Sequence, residues 1–152
     1  MSYMARHELF EEALTRSVIG AFFDVYNTLR FGFLEHIYAI ALERELLARG
    51  HRVGREVGVC IMYKGTELGT QRLDMIVDEK LVVEIKATAE LHKAAQRQLH
   101  SYLRASPLEI GLLLHFGPEA NYFRLICRNS VASSVLPVTP FRPDPLDPRG
   151  SV

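Results

Sequence analysis

Apolar residues recur with helical period over residues 8–30, where Leu9, Phe10, Ala13, Leu14, Val18, Ala21, Phe22 and Val25 fall on one face. Arg30-Phe-Gly-Phe33 interrupts that pattern. A second helix is predicted over residues 34–49, with Ile37, Tyr38, Ala41, Leu42 and Leu46 as its core stripe and Gly50 as its C-terminal stop. Beyond Gly50 the period drops to two. Residues 52–63 read as one strand, ending at a Lys64-Gly-Thr-Glu67 turn, and residues 68–77 and 80–87 as two more. Helical period returns over residues 90–105 and is stopped by Ser106-Pro107. Residues 110–115 are almost wholly apolar, the pattern of a buried strand, and residues 122–127 form a last short strand. Helix, helix, three strands, helix, two strands is the order of an α/β fold: a mixed sheet flanked by helices.

With 152 residues the chain has the size of one domain with a single core. That domain is expected over residues 1–129. From residue 130 to residue 152 the composition shifts, and Pro137, Pro140, Pro143, Pro145 and Pro148 predict a flexible or extended tail without regular structure. The formal net charge is zero, which excludes the strong basic field of a non-specific nucleic-acid binder, so any basic surface must be local. The two cysteines, Cys60 and Cys127, cannot build a zinc or iron–sulfur site alone and are expected as buried, reduced thiols. No apolar run is long enough to span a bilayer, and Met1 to Glu12 has no signal-peptide pattern, so no membrane association and a cytoplasmic location are the expectation.

Two carboxylates and a lysine break this ordinary picture. In Gln71-Arg-Leu-Asp-Met-Ile-Val-Asp-Glu-Lys-Leu-Val-Val-Glu-Ile-Lys86, Asp74, Glu84 and Lys86 interrupt runs that otherwise read as buried strand. Burying an unpaired charge is costly, and a metal ion held by both carboxylates would offset it. Side chains alternate along a strand, so Val82, Glu84 and Lys86 share one face, and Arg72, Asp74 and Ile76 share a face of the preceding strand. A two-residue turn at Asp78-Glu79 would pair Asp74 with Val83 and send Glu84 to the wrong side. A three-residue connection pairs Asp74 with Glu84. Hard oxygen ligands of this type select Mg2+ or Mn2+. Such an ion can neutralise a scissile phosphate and activate water, and an adjacent lysine can stabilise the transition state. The plain alternative, a solvated surface hairpin, fits the spacing alone equally well; the apolar neighbours Leu81, Val82, Val83 and Ile85 favour a buried or cleft position.

Gly32-Phe-Leu-Glu35-His-Ile-Tyr38 resembles the signature of the GxxExxY protein family, a branch of the PD-(D/E)XK nuclease superfamily with a restriction-endonuclease-like fold. Tyr63-Lys-Gly65, Leu68-Gly69, Arg72-x-Asp74, Glu84-Ile-Lys86, Gln98-Leu-His-Ser-Tyr-Leu103 and Gly111-Leu-Leu-Leu-His-Phe-Gly117 follow in the family's order, over roughly residues 14–128. His115 stands where the family often has Asn. The resemblance implies that Asp74 and Glu84 bind metal, that Lys86 is the catalytic lysine, and that Glu35 is an additional acidic residue delivered from a helix. It also implies that Gln98 is the superfamily's glutamine on the helix after the core strand. Glu35 lies one turn from Tyr38 on the inner border of its helix, although an acid there also suits the helix dipole. Gln98 reads as lying between Ala95 and Tyr102 on an inward stripe, where its amide either serves the site or braces the sheet.

Lys93, Arg97, His100 and Arg104 recur at i, i+4, i+7 and i+11, a basic stripe that could contact phosphates or simply face solvent. Arg72 is a second phosphate candidate, or a partner for the carboxylates, while Tyr63 and Lys64 at a hairpin end are substrate-facing or plain turn residues. His7, His51, His92 and His115 lack metal-ligand spacing and read as solvated or structural. The expected activity is metal-dependent hydrolysis of nucleic-acid phosphodiesters, DNA by resemblance, in a possible homodimer. The rivals are a non-catalytic nucleic-acid-binding or adaptor protein that keeps the fold, and a subunit active only in a complex through its proline-rich tail.

Overall fold

The computed structural model describes residues 3–128 together with Thr139 and Pro140. Helices α1 (Tyr3–Leu29) and α2 (Glu35–Ala48) lead into β1 (Val53–Tyr63), β2 (Thr66–Val77) and β3 (Leu81–Lys86). Helix α3 (Ala94–Ala105), β4 (Ile110–Phe116), β5 (Ala120–Ile126) and the two-residue β6 (Thr139–Pro140) follow. The sheet order is β5-β4-β3-β2-β1-β6. Among the described strands only β3 and β4 run parallel, joined by the α3 crossover, and the other neighbours are antiparallel. The expected mixed sheet is therefore present. The tail expectation falls outside the described residues except at Thr139 and Pro140, which pair with Gly58 and Val57 on the outer edge of β1.

The sheet divides the core into two layers. Met75, Val77, Leu81, Val83, Ile85, Leu112 and Leu114 face α1 and α2. Leu73, Ile76, Val82 and Leu113 face α3 through Ala95, Leu99, Tyr102 and Leu103. On α1 the stripe of Leu14, Val18, Ala21, Phe22 and Val25 is buried as expected, but Ala13 is exposed and Tyr26 joins the core instead. Tyr26 Oη donates to the carbonyls of Gly117 and Pro118 at 2.7 and 2.8 Å, tying α1 to the end of β4. The side chains of Leu9 and Phe10 lie outside the described residues. Cys60 and Cys127 are half-buried rather than buried, and neither forms a disulfide.

Helix α3 begins four residues later than its period predicts. Thr88 Oγ1 donates to Glu90 O at 2.7 Å and the Ala94 N–H donates to His92 Nδ1 at 3.0 Å. These side-chain bonds occupy backbone groups that a longer helix would need. The helix then packs against Gly111, where an added Cβ would lie 2.9 Å from a methyl of the fully buried Leu99. Gly111→Ala should therefore lower stability by about 1–3 kcal/mol through overpacking. The urea midpoint of the variant measures this, and an unchanged midpoint would mean that α3 can lift off the sheet at little cost.

Candidate active site

The connection from β2 to β3 decides whether Asp74 and Glu84 can meet. Asp78 and Glu79 both adopt positive φ (52° and 57°), and the Lys80 N–H closes the turn on Val77 O at 3.0 Å. Two left-handed residues in succession are strained for non-glycine side chains. Asp78 is held there by its own carboxylate, which accepts from the Arg52 N–H at 2.8 Å and from His51 Nδ1 at 2.7 Å. Burial alone would raise the Asp78 pKa, but these bonds and charges outweigh it and lower it. His51 also contacts Ser17 Oγ at 2.8 Å, which makes it a structural histidine. Lys80 is left as an extra residue, so Val77 pairs with Leu81, Ile76 with Val82 and Met75 with Val83. This is the odd connection the nuclease reading requires.

The next pair in that register is Asp74 with Glu84, and there the ladder stops although both strands continue. Strands β2 and β3 diverge into a wedge whose freed backbone groups need partners. Asp74 Oδ2 accepts the Ile85 N–H at 2.8 Å, and Glu84 Oε1 accepts the Asp74 N–H at 3.3 Å. The two carboxylates thus replace the missing ladder bonds and are fixed beside each other by the backbone itself.

Glu84 is only 5% exposed. Burial first, and then the charge of Asp74 with a carboxyl–carboxyl hydrogen bond, raise its pKa to about 8, against the opposing Asp74 N–H and Lys86. Lys86 follows half-buried at the end of β3, its charge felt by both Glu84 and Glu35. Tyr102 comes from α3 on the other side. Burial raises its pKa, and the charges of Glu84 and Asp74 add to the rise, so its phenol lies within the field of the pair. Its apolar spacing marks Tyr102 as core, and only the fold brings its phenol within the field of the acids.

On the α2 side the wedge opens into a cavity of about 410 Å³ lined by Glu35, His36, Arg55, Glu56, Arg72 and Asp74, among others. Glu35 keeps solvent access, yet the surrounding protein raises its pKa, with Asp74 adding to the rise and Lys86 opposing it. Glu56 faces Asp74 across β1–β2, in register between Arg55–Met75 and Val57–Leu73, and has a left-handed φ of 52° that breaks the ladder there. It lies 3.8 Å from Arg72. Arg55 pairs with Glu43 at 3.0 Å, and its buried Nε has no hydrogen-bond acceptor among the described residues. Neither Arg55 nor Glu56 has a motif or spacing that marks it in sequence. A larger cavity of about 490 Å³, lined by Arg52, Val57, Glu79, Pro107 and Leu108 among others, contains none of Glu35, Asp74 and Glu84.

Gln98 does not occupy the inward stripe assigned to it. It is exposed, while Ala95, Leu99, Tyr102 and Leu103 form the buried face of α3. The residue lies roughly a quarter turn to one side of that face, one turn before Tyr102. Lys93, Arg97, His100 and Arg104 are all exposed and line neither cavity. Tyr63 and Lys64 cap the exposed β1–β2 hairpin, with Lys64 Nζ 5.3 Å from the Tyr63 ring. His115 is buried beside Lys86 in the β3–β4 register, and its Nε2–H donates to Thr88 O at 2.7 Å, fixing the segment that leaves the site.

No group of three His, Cys, Asp or Glu side chains converges to ligand distance among the described residues. The donor chemistry nevertheless fits a hard cation. Asp74 and Glu84 are adjacent oxygen donors, and the proton that Glu84 retains marks an excess of buried negative charge. Mg2+ commonly uses one or two carboxylates and completes its shell with water and substrate phosphate. The raised pKa also sets the pH dependence of the fold. Between Glu84's ordinary 4.5 and about 8 the folded metal-free protein binds more protons than the unfolded chain. Its contribution to stability is full below about pH 4.5 and is lost as pH rises through about 8. Thermal melts from pH 5 to 8.5 without metal should show this fall. A Glu84 contribution that does not change with pH would mean the carboxyl is solvated.

The PD-(D/E)XK nuclease superfamily model matches residues 12–125, and the chain belongs to that superfamily. Its α/β architecture is the restriction-endonuclease-like fold. The crystal structure of SSO0001 aligns with 23% identity and a TM-score of 0.49, covering 60% of this chain and 50% of that one, so the chain spans about half of that protein's length. No curated protein matches the chain. Among the described residues no helix is long and apolar enough to cross a membrane.

Proposed function

We propose that this chain is a divalent-metal-dependent nuclease that hydrolyses phosphodiester bonds, with DNA the default substrate and Mg2+ or Mn2+ the ion. The observation that carries the reading is the wedge between β2 and β3, where Asp74 and Glu84 are held side by side by Ile85 N–H and Asp74 N–H. Asp74 and Glu84 would hold the ion, with Glu35 assisting directly or through water. A bound ion neutralises charge on the scissile phosphate and lowers the pKa of the attacking water. Lys86 stabilises the charge that develops on the phosphoryl oxygens. Arg55 and Arg72, at the cavity wall, hold the phosphate backbone. The signature Gly32, Glu35 and Tyr38 supports a place in the GxxExxY branch. Gln98, exposed beside Tyr102, is retained as a positioning residue for water or substrate. Lys93, Arg97 and Arg104 are retained as outer phosphate contacts. A homodimer and a cytoplasmic site of action complete the proposal.

The rival reading is a non-catalytic nucleic-acid binder that keeps the fold. Incubating the protein with single-stranded, duplex and branched DNA and with RNA, with Mg2+ or Mn2+, separates the two. Cleavage that needs the ion and is absent from folded Asp74→Asn protein supports the nuclease. Binding without cleavage under every condition supports the rival.

A further inference from the structure

The Arg30–Leu34 loop between α1 and α2 exposes Phe31 (42%), Phe33 (48%) and Leu34 (70%) in one short segment. Single exposed apolar residues are ordinary, but a contiguous group beside a functional cavity marks a contact surface. The loop is held in shape. Arg30 and Gly32 have φ of 61° and 127°, and the buried Tyr38 Oη donates to Arg30 O while accepting the Phe33 N–H at 3.2 Å. Tyr38 itself stacks on the buried Phe116 with ring centroids 4.2 Å apart, and Phe33 packs edge-on to Tyr38 at 6.2 Å. The core thus fixes the backbone of a loop whose two outer rings stay open to solvent.

Chain continuity brings the loop to the edge of the site. Leu34 and Glu35, the residues that follow, line the cavity containing Asp74, Arg55 and Arg72. Resting on the nuclease reading above, we infer that the loop is a stacking platform for unpaired bases, so that the substrate is single-stranded or splayed nucleic acid. Phe31 and Phe33 offer ring faces to bases that are free of a duplex stack, while Arg55 and Arg72 take the adjoining phosphates. A fully paired duplex has no free base face to offer the loop. Other open apolar groups among the described residues, such as Tyr122, Phe123 and Ile126 on the far edge strand β5 and Met62, Tyr63 and Leu68 at the β1–β2 hairpin, line neither cavity.

The test compares wild type, Phe31→Ala/Phe33→Ala and Phe33→Leu on two probes, a single-stranded oligonucleotide containing 2-aminopurine and a blunt duplex of the same sequence. Phe33→Leu keeps apolar bulk over Tyr38 but removes the ring, which separates stacking from loop support. Wild type should quench 2-aminopurine and cleave the single strand in preference to the duplex. The double variant should lose the quenching and cleave the single strand about tenfold less efficiently or worse, with Phe33→Leu in between and melting temperatures preserved. Quenching without cleavage by any protein would support the platform and count against the nuclease reading alone. Three results would overturn the platform: equal quenching by all three proteins, a wild-type preference for blunt duplex that the substitutions leave unchanged, or a wild-type dimer that Phe31→Ala/Phe33→Ala converts to monomer.

Discussion

Replacing Lys86 by alanine should lower metal-dependent cleavage by about 10²–10³-fold, the usual loss when one preorganised donor to a developing oxyanion is removed. The loss should fall on kcat, because Lys86 stands at the end of β3 beside the carboxylates and its charge matters most when the phosphoryl oxygens gain charge. Asp74→Asn should behave differently. Asparagine keeps a carbonyl to accept the Ile85 N–H, so the wedge survives, but the negative charge that draws the cation is gone. Activity should fall to background at ordinary metal concentrations and recover partly at high Mg2+. Isothermal titration and a metal-concentration series on folded proteins separate the two effects. A Lys86→Ala protein that cleaves like wild type would remove lysine from the chemistry, and an Asp74→Asn protein with unchanged metal affinity would move the ion elsewhere.

Much of this arrangement could be read from local pattern because it depends on local rules. The period of apolar positions located the described helices and all strands but the two-residue β6. The requirement that Asp74 and Glu84 share a side called for an odd-length connection or a bulge between β2 and β3, and Val77 does pair with Leu81 across three residues. What sequence missed depends on how elements lie on one another. Gln98 flanks the buried face of α3, and spacing cannot show which side of a helical stripe the sheet will cover. Tyr102 reads as core by periodicity, and only its packing over the wedge brings the phenol into the field of Glu84. Glu56 adopts a left-handed backbone that its residue type does not predict. Arg55 reaches the cavity because α2, carrying Glu43, crosses above β1. The wedge itself is a failure of pairing, and a pattern of apolar residues encodes pairing far more directly than its interruption.

Glu84→Gln should shift stability and metal binding in opposite directions. In the metal-free fold Glu84 is held protonated near neutral pH by burial and by Asp74, with a pKa of about 8. A neutral amide of the same shape therefore replaces a group that is already largely neutral there. Above about pH 8 the wild-type carboxyl ionises against Asp74 while the amide cannot, so the variant should be the more stable metal-free protein in that range. Its melting temperature should also lose the part of the pH slope that Glu84 supplies. With metal the order reverses. A ligand that binds the folded state stabilises it by about 2.7 kcal/mol at a hundred times its Kd, and the variant should lose most of that gain along with its activity. In the wild type, binding must displace the Glu84 proton, so affinity should rise with pH until about pH 8 and then level. Titrations in buffers of different ionisation enthalpy would report that proton directly. If Mg2+ or Mn2+ raised the melting temperature of both proteins equally and released no proton, Glu84 would be a buried structural acid, leaving Asp74 and Glu35 to hold the ion across the cavity.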